Sequence, residues 1–138
     1  SGNPLATAAG IATLRLADDA VYAHVDQASR QVQDALGSAL TAAGLPHRIQ
    51  TAGNLFSVFF GETAATHGVR TYDEAKATEV FRFAPFFHAM LDAGVALPPS
   101  NYEAWFLSAA HDDEALNRIA EALPAAARAA ASAESPSS

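Results

Sequence analysis

The sequence predicts an α+β fold: a small, mostly antiparallel sheet covered by helices. Three observations carry that expectation. Apolar residues recur at three- and four-residue spacing over 18–43, and again from 112 onward, as they do in a helix with one buried face. One stretch, "HRIQTAGNLFSVFF", turns β-branched and aromatic around Gly53-Asn54, the texture of a hairpin. The textures then follow in blocks, helix-helix-strand-strand-helix-strand-strand-helix, rather than in a strict β-α-β rhythm.

The elements follow in order. Asn3 is a capping residue and Pro4 suits a first helical position, so a helix is expected over Pro4–Leu16. Asp18 caps a second helix whose core stripe is Val21, Val25, Ala28, Val32, Leu36, Leu40 and Ala43; Asp26, Arg30, Gln33 and Asp34 take its other face. Gly44 and Pro46 stop it. Strands are expected at His47–Ala52 and Leu55–Phe60, the second apolar on both faces like a buried central strand. Gly61 to Tyr72 reads as a loop, and Asp73 as the cap of one helical turn. A helix is expected over Glu79–Ala93, with Pro85 kinking it or marking its effective start. Val95–Leu97 and "WFLSAA" read as two further short strands. Asp112 and Asp113 open a last helix, with Leu116, Ile119, Leu123 and Ala126 or Ala127 facing inward and Pro124 as a bend.

This layout divides the chain into residues 1–17, the end of a larger region with a linking helix; 18–131, an α+β domain; and 132–138, a small polar tail expected to be disordered. The first helix has no place in the compact unit, which suggests that its partners lie elsewhere.

Composition removes several function classes. The 138 residues suffice for one domain with a real core, and half are hydrophobic, eight of them Phe. The net charge is −7 with only eight Lys plus Arg, and no basic patch stands out, so no nucleic-acid partner is expected. There is no cysteine, which excludes disulfides, thiolate metal sites and Cys nucleophiles and suits a cytoplasmic protein. No apolar run approaches the roughly 18–20 residues that span a bilayer, and no signal peptide is evident, so no membrane association is expected. His24, His47, His67, His88 and His111 show no i, i+4 pair and no HExxH pattern, so no metal site is expected. G-x-S-x-G, G-x-G-x-x-G and Walker motifs are absent as well. The Phe-rich helix reads as core.

Two places could carry chemistry. In "LPPSNYEAWF", two prolines fix the backbone before a polar turn of Ser100 and Asn101, and Glu103 sits among Tyr102, Trp105 and Phe106. Such surroundings can tune a carboxylate to orient an amine; the plainer reading is a glutamate that closes the loop on backbone amides. At the start, the Ser1-Gly2-Asn3 turn could hold an anion on helix N–H groups, or simply be an N-cap.

These stretches resemble a known family. "SGNPLATAAG" is similar to the segment that closes the large domain in class III, fold-type I pyridoxal-phosphate aminotransferases. "AGNLFSVFFGE", "FFHAMLDAGVALPPSNYEAWFLSAAH" and "DDEALNRIAEAL" narrow the likeness to the C-terminal part of the glutamate-1-semialdehyde 2,1-aminomutases, across about residues 1–128. "SGNPLA" marks only the superfamily; the "PPSNYEAWF" series is more specific to the mutases. The resemblance implies a homodimeric enzyme with pyridoxal 5'-phosphate, converting glutamate 1-semialdehyde into 5-aminolevulinate on the way to tetrapyrroles. It implies that Glu103, with Ser100 and Asn101 on the same loop, helps to position a small-molecule substrate. Ser1, Gly2 and Asn3 would only adjoin the cofactor phosphate site. The family's Schiff-base lysine precedes "SGNP". Lys76, the only lysine, does not match it, so this chain would be inactive alone, a piece of a larger enzyme with no catalytic residue of its own. Pro85 and Trp105 stand where many relatives have Arg and Gly. Two other readings stay open: a fragment of another class III transaminase, and a free-standing α+β binding or dimerisation module.

Overall fold

The computed structural model describes residues 2–135. They form α1 (Pro4–Leu16), α2 (Asp19–Ala42), β1 (His47–Ala52), β2 (Leu55–Phe60), α3 (Glu62–His67), α4 (Tyr72–Lys76), a 3-10 turn (Val80–Arg82), α5 (Phe83–Asp92) and α6 (Asp113–Ala131). Ser1 and Pro136–Ser138 of the expected tail lie outside the described residues.

The long helices begin as their sequences require. The Asp18 carboxylate accepts a hydrogen bond from the Val21 amide at 3.0 Å, and Asp112 accepts from the Ala115 amide at 2.9 Å; each satisfies an N–H with no partner inside its helix. Along α2 the expected stripe goes inward: Ala28, Val32, Leu36 and Leu40 are buried. The helix beginning near Pro85 is the outcome that holds. Pro85 occupies the first turn of α5, where its missing N–H costs nothing. α6 continues past Pro124, which is exposed.

The hairpin matches its expected bounds, with antiparallel pairing from His47↔Phe60 to Ala52↔Leu55. The two-residue loop has Gly53 first, at φ 64°, a position where type II′ turns want glycine. The hairpin tip is tied to α2. The buried Ser29 hydroxyl donates to the Asn54 carbonyl at 2.7 Å, and the Asn54 amide donates to Asp26 at 3.1 Å. Phe56, Val58 and Phe60 point into the main core with Leu36, Leu40, Phe86, Met90 and Leu123. Phe59 points the other way, onto Ala64, Val69 and Ala75, so β2 is indeed apolar on both faces.

Five expectations fail. β2 is not a central strand, because the sheet has two strands. "WFLSAA" shrinks to one bridge, with the Trp105 amide donating to the Phe56 carbonyl at 2.6 Å and the Phe56 amide returning the bond at 3.1 Å. Beyond it, Ser108 and His111 bond to each other and turn the chain into α6. Val95–Leu97 forms no strand: the Val95 amide is spent on the Met90 carbonyl at the end of α5, and Pro98 and Pro99 have no N–H to offer. The Gly61–Tyr72 stretch is not all loop, since it holds α3 and the start of α4. Asp73 does not cap α4 either. Thr71 does, in a capping box with Glu74.

Arg82 joins the start of α5 to the end of α6. Its guanidinium pairs with Glu79 and donates to the carbonyls of Ala130, Ala131 and Ala133 at 2.8–3.2 Å, satisfying the last turn of α6. The expected tail is thus held at its first residues. α6 packs against both α5 and α2. α1 stands apart: none of its residues is buried, and Leu5, Ile11, Leu14 and Leu16 are exposed. No helix among the described residues is long and apolar enough to cross a membrane.

Candidate functional site

The connection from α5 to α6 carries the predicted loop residues. Gly94, at φ 83°, ends α5. The two prolines then lead into a turn closed twice at Ser100: its hydroxyl oxygen accepts from the Tyr102 amide and its carbonyl from the Glu103 amide, both at 3.2 Å. Downstream, Trp105 anchors the loop. Besides its bridge to Phe56, its buried ring packs on Phe56 and Phe86, with centroids 5.3 and 6.2 Å apart. Aromatic pairs of this kind add about 0.5–1.5 kcal/mol beyond burial. The loop is therefore pinned at Trp105 and turned tightly at Ser100.

The turn keeps Ser100, Asn101 and Glu103 on one loop but separates their side chains: Ser100 and Asn101 line a groove against α5, and Glu103 does not. Glu103 is exposed, and its carboxylate has no hydrogen-bond or ion-pair partner among the described residues. Only its main-chain carbonyl is used, accepting from the Ser57 hydroxyl at 3.4 Å. The plainer reading, a glutamate closing the loop on backbone amides, therefore does not describe its side chain. Its aromatic neighbours diverge: Trp105 turns into the core, Phe106 is exposed, and Tyr102 packs on Tyr72 with centroids 5.4 Å apart. Asn101 is the opposite case. It is 5% exposed, and its side-chain nitrogen is buried with no hydrogen-bond partner. An orphaned buried donor costs about 1–3 kcal/mol, so native folds keep few of them. Nothing in its sequence setting announced this burial; a polar residue after two prolines reads as surface.

The other predicted residues fall on α1. Asn3 is an N-cap, its side-chain oxygen accepting from the Leu5 amide at 2.9 Å. Gly2 is exposed in open space, and Ser1 lies outside the described residues. The histidines serve local structure or lie at the surface: His24 bonds the His111 carbonyl, His47 the Leu45 carbonyl, and His111 bonds Ser108, while His67 and His88 are exposed. Among the described residues, no three His, Cys, Asp or Glu side chains cluster to hold a metal ion.

The residues present do not fit pyridoxal phosphate as a complete site. A lysine that attacks a carbonyl needs a dry pocket or a neighbouring cation. Lys76 instead pairs with Asp73 at 2.8 Å, half exposed, 4.9 Å from the centroid of the Tyr72 ring. It offers the surface charge of an α4 residue.

No known family model matches the chain. Several solved structures share its fold. One is an omega-transaminase from Sphaerobacter thermophilus, with a TM-score of 0.73 and 19% identity over 93% of this chain. The chain spans 28% of that transaminase's length. The α+β arrangement is thus that of one portion of a transaminase.

Proposed function

We propose that this chain is the C-terminal domain of a class III pyridoxal-phosphate enzyme, and specifically of a glutamate-1-semialdehyde 2,1-aminomutase. The observation that carries the reading is the likeness of 93% of the chain to under a third of a transaminase, with Glu103 of the "PPSNYEAWF" loop exposed at its surface. In this reading the domain forms one wall of the active site. Glu103 reaches out to position the substrate, and Ser100 and Asn101 shape the same wall. Ser1, Gly2 and Asn3 adjoin the phosphate of the cofactor, which other parts of the enzyme hold. The cofactor supplies the electron sink that lets an amino group move between neighbouring carbons. α1 links the two domains, and its bare apolar surface packs on the larger one. The enzyme is a cytoplasmic homodimer, and this chain alone is inactive.

Two measurements test this. Pyridoxal phosphate added to the 138-residue chain should show no stoichiometric, lysine-dependent absorbance change; such a change with turnover would overturn the inactivity. In an enzyme containing this domain, glutamate 1-semialdehyde should yield 5-aminolevulinate with no added amino donor, and Glu103→Gln should lower kcat/KM. A strict need for an external amino acceptor would instead favour the second reading, an ordinary class III transaminase, which the transaminase neighbour supports.

A further inference from the structure

We infer that the groove between α5 and the Pro99–Asn101 turn binds a small molecule bearing a carboxylate on a short apolar chain. The inference deepens the proposed function and rests on it only for placing Ser100 and Asn101 beside a substrate; the groove is built entirely from this chain. Val80, Phe83 and Phe87 form one wall, Ser100 and Asn101 the other, and His88 also lines it, around a volume of about 350 Å³. That is near the lower end of the roughly 300–1,000 Å³ typical of ligand pockets, so the ligand has only a few carbons.

Three features select its chemistry. Asn101 brings two N–H donors that no group in the described residues accepts. Its terminal torsion is soft, so a small rotation turns the amide toward a ligand. The Ser100 oxygen already accepts from the Tyr102 amide, which leaves its hydroxyl proton to donate. Among the described residues no Asp or Glu lines the groove, and its one ionisable side chain is His88, which is never anionic. A group that only accepts is matched here; an ammonium, which only donates, is not. The phenylalanine wall receives the alkyl part.

The test is a titration of the ¹⁵N-labelled chain with butyrate, following the side-chain amide resonances. The Asn101 pair should shift saturably, and n-butylammonium and n-butanol should bind about tenfold more weakly or worse. Asn101→Asp, which puts an anion in place of the donors, should lose at least about tenfold in butyrate affinity. His88→Ala changes an exposed side chain, leaves the core intact, and should weaken butyrate about threefold. An Asn101 resonance unmoved up to about 100 mM butyrate, equal responses to butyrate and butanol, or full affinity in both variants would overturn the inference. Because binding is read without turnover, its failure leaves the mutase assay standing, and failure of the mutase assay leaves the groove standing.

Discussion

α1 and α6 start alike and end differently. Each is rich in alanine and opens with a side-chain cap, Asn3 on the Leu5 amide and Asp112 on the Ala115 amide, both at 2.9 Å. Yet α6 buries Leu116, Ala122, Leu123, Ala126, Ala127 and Ala130, while α1 buries nothing. The difference lies in how the residues are distributed. α6 keeps Glu114, Arg118, Glu121 and Arg128 on its outer side, so one face is free to dock. α1 has a single charge, Arg15, among residues that are apolar or small all round. Capping and composition start a helix; segregating its faces decides where it goes. A helix apolar on every side is a buried helix, and α1 meets no cover among the described residues. That contrast is the physical support for giving α1 a partner in a larger enzyme.

Four experiments would break or sharpen the contrast. The largest effect is expected from Leu123→Ala, a fully buried side chain in α6, which should lower unfolding free energy by about 2–5 kcal/mol in urea titrations. Next, Arg82→Ala removes the ion pair and three carbonyl bonds that close the last turn of α6; a loss of about 1–3 kcal/mol is expected in the same measurement. Third, the two caps should separate. Asp112→Ala should lower the Tm through a loss of about 1 kcal/mol. Asn3→Ala, an equal chemical change, should leave the Tm alone and only speed amide exchange within α1. Smallest is Leu14→Ala, on an α1 side chain that is 72% exposed. It should stay within about 0.5 kcal/mol of the parent, and a loss as large as that of Leu123→Ala would show α1 packed on the domain.

Much of the fold was legible in the residues. The bounds of α1, β1 and β2 follow from Pro4, from Pro46 and from Gly53-Asn54, because punctuating residues act locally. The stripe of α2 follows from spacing alone. What escaped is short or set by distant contacts. α3 and α4 have six and five residues, too few for a periodic signal, although Thr71 and Glu74 did carry a capping-box pattern. Val95–Leu97 and "WFLSAA" have strand-like residues, but strands need partners, and the amides that would have paired are taken by the Met90 carbonyl and by a single bridge to Phe56. At the candidate site, the loop was legible from its prolines and its Ser-Asn-Tyr-Glu run. The exposure of Glu103 and the burial of Asn101 were not, since both depend on how Trp105 seats against Phe56 and Phe86.

The grip of Arg82 on Ala130, Ala131 and Ala133 also sets how far the gene can be trimmed. A stop codon after Glu134 leaves every acceptor of that guanidinium in place. One placed before Ala130 strips away all three carbonyls and leaves the guanidinium, 18% exposed in the intact domain, paired only with Glu79. Between those two positions lies the shortest reading frame that still closes the domain, and a tag or fusion partner joined beyond Glu134 would leave that closure untouched.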